Sequence, residues 1–383
     1  MQLLLVVQMV GRPTVDTAMS NTINNRTLIR ETCELCDKNI SIGQSTIVCK
    51  KCDHIFHGSC VTNNNFRMVR GFSYCMGCIL KEEIFRYNPF LDLFENGDSD
   101  KFFDEESPDL VEAVDMMSNI LENCNSYDSN EFQNLLETSS IFQTRADNNL
   151  FSSYFLNIDG NRQNFDQLVA DIMRLKHNFS VIGLAETNIE SESKDLYEIT
   201  SNYTSVYQSR LRNKKKGSGI GLYIHNKFNF TVISEFTNCT QDIECLFVRI
   251  TNTEQPVTVG VVYRPPSGNI QLFNQALEDL LSELPDKNCY ILGDFNINLH
   301  NMSPLSHQVY EETIISHGYT PLISIATHEQ PHCMKTCIDN ILCNSPESII
   351  TSGTFTNKIS HHSPVFQVSK VVAPTEKADK ITI

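Results

Sequence analysis

Six short polar signatures between residues 157 and 362 stand at or near the ends of apolar runs. Their side chains are of the types that activate water or hold a hard cation. The candidate catalytic residues are Asn157, Glu186, Tyr263, Asp294, Asn296, Asp339 and His362. Each residue alone is as easily explained as part of a turn. Together they predict one site, because side chains at the ends of different strands can converge.

The combination predicts hydrolysis of a phosphate ester. Attack on a phosphodiester needs a hard divalent cation, and Glu186 is a suitable oxygen ligand. It also needs a base that activates water. His362 can bear a proton near neutral pH, provided that a carboxylate such as Asp339 fixes its tautomer and orientation.

The remaining candidates are suited to holding water and phosphate oxygens. Asp294 and Asn296 lie two residues apart after an apolar run and can point the same way. Tyr263 and Asn157 are neutral hydrogen-bond donors for the oxygens of a transition state.

A second group of chemistry-bearing residues lies between residues 33 and 78. It consists of three Cys-x-x-Cys pairs and one His-x-x-Cys pair. The candidate metal ligands are Cys33, Cys36, Cys49, Cys52, His57, Cys60, Cys75 and Cys78. Zinc takes four thiolate or imidazole ligands in a tetrahedron, so eight ligands predict two structural Zn²⁺ ions. Coincidence or disulfide bonding is the alternative, and four correctly spaced pairs argue against it.

The composition is that of a globular protein with about two domains. The chain has 383 residues, of which 40% are hydrophobic and 20% charged. We expect no membrane span, because no apolar run approaches about 18 residues. The formal net charge of −16 is opposite in sign to that of a typical nucleic-acid binder, so the distribution of charge matters.

The charge is unevenly distributed along the chain. Residues 91–137 contain fourteen acidic residues and one basic residue, which predicts an acidic linker. Val111, Val114, Met117 and Leu121 could still form one amphipathic helix within it. Residues 151–370 carry sixteen basic and twenty-two acidic residues, and five of the basic ones lie in 210–216. That basic loop predicts a phosphate-backbone contact, with a solvated hairpin loop as an equal alternative.

Hydrophobic periodicity predicts the elements that must position the site. Strands are expected at 151–157, 179–185, 218–224, 245–250, 257–263, 289–293, 338–343 and 365–368, and helices at 163–176 and 270–284. Several strands follow one another without a helix, which favours packed sheets flanked by helices over a doubly wound sheet. The predicted organisation is a frayed N-terminus (1–30), a finger (31–82), an acidic linker (83–149), a catalytic domain (150–370) and a tail (371–383).

Three phrases in this order, GSGIGLYIHNKF, GVVYRPPS and YILGDFNINL, resemble motifs of the endonuclease/exonuclease/phosphatase superfamily. Within it the chain is most similar to the endonucleases of LINE-type non-LTR retrotransposons. The resemblance covers about 220 residues, 151–370. It implies an α/β fold, a four-layered α/β sandwich with the site at the top of two β-sheets, and a Mg²⁺- or Mn²⁺-dependent nuclease.

The resemblance also implies residue roles. Asn157 and Glu186 would serve the Mg²⁺ site, and Tyr263 would touch the scissile phosphate. Asp294 and Asn296 would position or activate the water. In the last motif Asp339 would orient His362.

One departure from the superfamily pattern falls beside the expected base. The family usually has Ser-Asp-His-x-Pro before the last strand, whereas this chain has His361 between Ser360 and His362. The missing carboxylate is one that the family uses at or near the metal, and histidine is a poorer partner for Mg²⁺. Weakened activity, a preference for Mn²⁺ and an inactive copy are three hypotheses for its effect. Cys337 is a smaller departure at a place where Ser or Thr is common.

The order of the eight ligands resembles that of a PHD finger, in which the first and third pairs bind one zinc ion and the second and fourth pairs the other. The resemblance implies one ion on Cys33, Cys36, His57 and Cys60, and a second on Cys49, Cys52, Cys75 and Cys78. A RING finger would have its histidine fourth, where this chain has Cys52. Ser73 replaces the usual Trp of a methyl-lysine cage, so a structural or protein-docking finger is expected, with a histone or another protein as partner.

These resemblances predict a nuclear DNA endonuclease that exposes a 3′ hydroxyl for target-primed reverse transcription. A reverse transcriptase would have to be supplied separately. The alternative is a catalytically decayed zinc-finger adaptor or chromatin-binding protein derived from a retroelement. A third hypothesis, a phosphoesterase of the same fold acting on lipids or RNA tails, is disfavoured by the retrotransposon-like Tyr-Arg-Pro-Pro phrase.

Overall fold

The computed structural model describes only part of the chain. The described residues are 32–33, 36, 38–41, 44–49, 54–61, 66–69, 72–75, 108–138, 150–160, 162–189, 197–208, 217–285, 287–301, 304–330 and 333–372. The predicted N-terminal segment 1–30, the basic loop 210–216 and the ligands Cys52 and Cys78 lie outside them. Within them, no helix is long and apolar enough to cross a membrane.

The described elements are strands β1–β18 and helices α1–α5. The strands are β1 (Thr46–Val48), β2 (Ile55–His57), β3 (Phe66–Val69), β4 (Phe72–Cys75), β5 (Asn125–Tyr127), β6 (Leu150–Asn157), β7 (Val181–Ala185), β8 (Tyr203–Gln208), β9 (Ile220–His225), β10 (Phe230–Val232), β11 (Asn238–Cys239), β12 (Glu244–Ile250), β13 (Val257–Tyr263), β14 (Cys289–Asp294), β15 (Thr320–Pro321), β16 (Asp339–Cys343), β17 (Ile349–Phe355) and β18 (Val365–Val372). The helices are α1 (Pro108–Glu122), α2 (Ser129–Thr138), α3 (Arg162–Leu175), α4 (Ile270–Glu283) and α5 (Leu305–Ser316). Short 3-10 turns span Gly58–Cys60, Ser234–Phe236 and Pro346–Ser348.

Two seven-stranded mixed sheets form the large domain. Sheet A has the order β10-β12-β13-β14-β16-β15, with β11 also paired to β12. Sheet B has the order β5-β17-β18-β6-β7-β9-β8. In sheet A, β13 and β14 are parallel, and in sheet B, β6 and β7 are parallel. These central strands are buried along nearly their whole length, as their continuous apolar sequences predict.

The sheets face each other across one apolar cluster and helices cover them outside. Phe155 and Ile220 of sheet B share that cluster with Val259 and Val261 of sheet A, and α4 and α5 add to it. A second cluster buries the apolar side of α3, including Leu168, against sheet B. The predicted α/β sandwich is therefore confirmed.

The predicted acidic linker is wrong for residues 108–138. This stretch folds as α1, β5 and α2, and β5 pairs in parallel with β17. Phe132 of α2 is fully buried, and Met117 and Leu121 of α1 are buried as well. The net charge of the stretch hid these apolar positions, because the acidic side chains between them can remain in water. The amphipathic helix through Met117 and Leu121 is confirmed as α1.

Several elements had no sequence prediction. They include the edge strands β8 and β10, the strand β17 and the helix α5. The last strand extends to Val372, beyond the predicted domain end at 370. In the segment predicted to be a finger, β1 pairs with β2 and β3 pairs with β4, both antiparallel.

Candidate active site

The candidate side chains meet at one edge of the two sheets because of strand direction. Asn157 ends β6 and Glu186 follows the last residue of β7, its parallel neighbour. Tyr263 ends β13 and Asp294 ends β14, the other parallel pair. Since β14 contacts β6 and β13 contacts β7 between the sheets, these four residues share one edge. Asp339 begins β16, antiparallel to β14 and opposite Asp294.

Asn157 connects the residues of the two sheets. Its side chain is buried, and its Nδ2 donates to Glu186 Oε1 at 3.0 Å and to Asp294 Oδ2 at 2.8 Å. Its Oδ1 accepts from the backbone N–H of Asp159 at 3.0 Å. Both N–H groups of the amide therefore hold the two carboxylates close together, and Oδ1 keeps a second lone pair.

Glu186 lies in a backbone conformation that non-glycine residues seldom adopt, with φ of 52°. This turn directs its carboxylate back over the sheet edge, where Oε1 accepts from the hydroxyl of Tyr263 at 2.7 Å. Burial, followed by the neighbouring Glu186 charge, raises the pKa of Tyr263. Tyr263 is therefore a neutral donor at any physiological pH.

Asp339 and His362 form the most clearly defined pair of the site. His362 Nδ1 lies 3.0 and 2.9 Å from the two carboxylate oxygens of Asp339. A carboxylate only accepts, so Nδ1 carries the proton and Nε2 is the atom that can accept another. The ligand-type atoms of Asp294, Asp339 and His362 all lie within 4.8 Å of one another.

Burial and the charges of the neighbouring carboxylates shift the pKa values of His362 and Asp294. Burial lowers the pKa of His362, but the Asp339 charge and hydrogen bond, with Asp294 and Glu186, outweigh it and raise the pKa to about 9. Burial and the Asp339 charge raise the pKa of Asp294 to about 7.

Asn296 and Arg264 fix the loop that carries Asp294. The backbone N–H of Asn296 donates to Asp294 Oδ1 at 2.9 Å, and its Nδ2 donates to the Arg264 carbonyl at 2.9 Å. The buried guanidinium of Arg264 in turn donates to the carbonyls of Phe295 and Asn296, both at 2.8 Å. In this structure Asn296 supports Asp294, and its role in positioning water stays a prediction.

The donor set at this edge fits a hard divalent cation. The available ligand atoms are oxygens. The side chain of Asn157 lies between the carboxylates of Glu186 and Asp294 and is hydrogen-bonded to both. Gly217, with φ of +80°, passes so close that a Cβ there would lie 3.0 Å from Glu186 Oε2. A glycine thus leaves space beside the second oxygen of Glu186. Glu186 and Asn157 are the residues that would hold Mg²⁺ or Mn²⁺.

A family model, described as the Endonuclease/Exonuclease/phosphatase family, matches residues 151–362, more than half of the chain. The chain belongs to this family. The seven candidate catalytic residues all lie within the matched segment. No curated protein sequence matches the chain.

Three solved structures show a limited similarity to the chain. The endonuclease domain of TRAS1, a telomere-specific non-LTR retrotransposon, is 12% identical with a TM-score of 0.47, over 58% of this chain and 99% of that one. The AP endonuclease LMAP from Leishmania major is also 12% identical with a TM-score of 0.47, over 59% and 89%. TDP2 from D. rerio, complexed with a single-strand DNA product, is 14% identical with a TM-score of 0.43, over 58% and 99%.

His361 lies outside the group formed by Asp294, Asp339 and His362. Its side chain is exposed, whereas that of His362 is buried. Its carbonyl accepts from the backbone N–H of Glu329 at 3.0 Å. Among the described residues, the groups of His, Cys, Asp and Glu whose ligand atoms converge do not include it.

Four of the eight predicted zinc ligands converge in the predicted finger. The ligand atoms of Cys33, Cys36, His57 and Cys60 lie within 4.8 Å of one another, so the first and third pairs come together. His57 Nδ1 lies 3.4 Å from Cys36 Sγ, and its Nε2 lies 3.2 Å from Gln44 Oε1. Nδ1 is therefore the ring nitrogen that lies close to the cysteine sulfur atoms.

The second ligand set is described only in part. Cys49 is fully buried, and Cys75 ends β4. Cys52 and Cys78 are outside the described residues, so their shared site stays a prediction.

Sequence reasoning missed two supports of the site. Glu244 is fully buried at the start of β12, opposite Tyr263, and its Oε2 accepts from the Gly219 N–H at 2.7 Å. Glu244 could have been recognised in the sequence, because an acidic residue at the first position of an apolar strand is unusual. Thr327, which contacts the backbone of Asp339, lies in a segment with no periodic pattern.

Proposed function

We propose that this protein is a divalent-metal-dependent endonuclease that nicks one strand of DNA and leaves a 3′ hydroxyl, as in target-primed reverse transcription. Membership of a hydrolytic phosphoesterase family supports the reaction class. The observation that carries the proposal is the Asp339–His362 pair beside Asp294, which Asn157 links to Glu186. It supports the proposal because an imidazole, three carboxylates and a tyrosine hydroxyl are connected by hydrogen bonds or close contacts at one edge of the sheets.

The residues divide the chemistry among themselves. His362, oriented through Nδ1 by Asp339, exchanges a proton at Nε2 with water. Asp294 receives a hydrogen bond from that water, and the hydroxyl of Tyr263 stabilises a phosphate oxygen. A bound Mg²⁺ or Mn²⁺ on Glu186 and Asn157 would supply charge neutralisation of the phosphate. It would also offset the carboxylates that raise the pKa of His362.

The test is nicking of supercoiled plasmid by the full chain with Mg²⁺ or Mn²⁺. Glu186→Gln keeps the shape of the side chain and removes its charge, and Glu283→Gln on the exposed face of α4 is the matched control. We expect nicking that is lost with Glu186→Gln and kept with Glu283→Gln. Extension of the nick by a DNA polymerase without phosphatase treatment tests for the 3′ hydroxyl. Release of phosphate from phosphoinositides, without nicking, would favour the lipid phosphoesterase instead.

The position of His361 favours a second candidate function, a decayed nuclease that acts as a zinc-finger adaptor. This residue stands where the family usually has Asp, and its exposed side chain is outside the cluster. His361→Asp separates the two candidates, with His361→Asn as the control that adds no charge. Nicking that appears only in His361→Asp would mean that the site is intact but disabled in this chain.

For the finger we propose two Zn²⁺ ions and a protein-docking role in the nucleus, with a histone or another protein as partner. The convergence of Cys33, Cys36, His57 and Cys60 supports the first ion. The spacing of the other four cysteines supports the second. A reverse transcriptase would act as a separate partner.

A further inference from the structure

The two residues of the hydrogen-bonded Asp339–His362 pair are carried by different sheets. Asp339 begins β16 of sheet A, whereas His362 lies in the loop that leads into β18 of sheet B. No ladder pairs these two strands. The distance between the carboxylate and the imidazole therefore depends on whatever holds the two backbones together at this edge.

Thr327 contacts the backbone on both sides of the pair. Its Oγ1 accepts from the N–H groups of Ile338 and Asp339 at 3.2 and 3.0 Å. Its carbonyl accepts from the N–H of Ser363, next to His362, at 2.6 Å. The residue is 1% exposed, so these contacts are made away from competing water.

His328 extends this connection by one residue. It forms an isolated antiparallel bridge with His362, and the two imidazole rings lie 4.6 Å apart at 51°. Its Nδ1 lies 3.2 Å from Thr336 Oγ1. The segment 327–328 thus packs against the His362 loop through both backbone and ring.

We propose that Thr327 is a positioning residue, which clamps the loop of His362 to the start of β16 and so sets the Asp339–His362 hydrogen bond. The hydroxyl performs this task because it accepts from two adjacent backbone donors at the start of β16. Loss of the acceptor leaves those N–H groups unsatisfied and lets Asp339 shift relative to the imidazole. The effect on rate rests on the proposed nuclease function, whereas the effect on the hydrogen bond does not.

The test compares Thr327→Val with Thr327→Ser. Valine keeps the volume but has no acceptor, and serine keeps the hydroxyl. We expect Thr327→Val to lower kcat for nicking by roughly 10- to 100-fold, since small displacements of catalytic groups have such effects, with KM within about twofold. Thr327→Ser should retain kcat within about threefold.

A proton NMR measurement reads the clamp without any activity. The Nδ1–H of His362, hydrogen-bonded to Asp339, should give a downfield resonance that is absent in His362→Gln. We expect it in the unmodified chain and in Thr327→Ser, and shifted upfield or lost in Thr327→Val at an unchanged fold by circular dichroism. If Thr327→Val does not fold, Thr327→Cys, a weak acceptor, takes its place with the same expectation.

The outcomes separate the two proposals. An unchanged resonance in the valine or cysteine variant, or an equal loss in Thr327→Ser, would overturn the clamp. A resonance that responds as expected in a chain that nicks no DNA would support the clamp and contradict the nuclease function.

Discussion

Asp294 and Asp339 stand directly opposite each other in the register of β14 and β16, and each is 1% exposed. Two carboxylates in this position repel each other, and burial removes the water that would screen them. Both effects raise the pKa of Asp294 to about 7. This repulsion lowers the stability of the protein when no cation is bound. The same negative charge attracts a cation.

The first prediction is that Asp294→Asn abolishes nicking yet stabilises the metal-free protein. Because the folded-state pKa of Asp294 is raised, the unmodified chain loses stability as pH rises from about 4 to about 7. The neutral amide removes this loss. In chelator at pH 8 we expect the free energy of unfolding to rise by up to about 4 kcal/mol, since the pKa is raised from 3.8 to about 7 and one pKa unit corresponds to about 1.4 kcal/mol.

Urea unfolding at pH 5 and pH 8 checks this prediction. The gain should be much smaller at pH 5, where the carboxyl of the folded chain is already largely protonated. The exposed Asp115→Asn on α1 is the control and should change neither value. An equal gain at both pH values would contradict an electrostatic origin.

The second prediction concerns the pH dependence of nicking. A base must be neutral, so the rate should rise with pH as His362 loses its proton. The Asp339 charge raises the pKa of His362 to about 9 against the opposing effect of burial. Asp339→Asn should therefore move the rising limb to lower pH by one unit or more and lower kcat by about 100-fold, because the ring loses its orientation.

Profiles of kcat/KM between about pH 5.5 and 9.5 measure both effects. Glu283→Gln, with its exposed side chain, should retain the limb of the unmodified chain. A limb at the same pH in Asp339→Asn would mean that His362 does not control the rate.

The shared edge of the candidate residues is easier to predict from the sequence than the contacts between them. Tyr263 and Asp294 end continuous apolar runs, so their shared edge follows from two parallel buried strands. The bridge from Asn157 to Asp294 needs one sheet to face the other, which no local pattern specifies. The role of Thr327 is harder to predict than this bridge. It depends on two backbone N–H groups that are distant in sequence, and not on the residues beside Thr327.

The third prediction concerns zinc. Cys60→Ala removes one of four converging ligands, and binding of zinc contributes directly to folding of such fingers. We expect zinc per chain to fall from about two ions to one or fewer by plasma mass spectrometry. Cys333→Ala, at an exposed cysteine of the large domain, should leave the content unchanged. Equal zinc content in Cys60→Ala would contradict the ligand assignment.

The fourth prediction is that residues 108–138 contribute to the stability of the large domain. Phe132 of α2 is fully buried, with ring centroids 6.0 Å from Phe179, 5.1 Å from Phe355 and 5.0 Å from Phe366. Phe132→Ala should lower the free energy of unfolding by about 3–5 kcal/mol, because it leaves a cavity among these rings.

Met173→Ala on α3 is the matched control, since that side chain is 61% exposed and its removal should cost less than about 0.5 kcal/mol. A chain that starts at residue 150 should be destabilised at least as much as Phe132→Ala, because it loses β5 from the edge of sheet B as well as the aromatic ring. Urea unfolding followed by tyrosine fluorescence measures all three. If the shortened chain unfolded at the same urea concentration as the full chain, residues 108–138 would be an appendage after all, and a linker would again describe them.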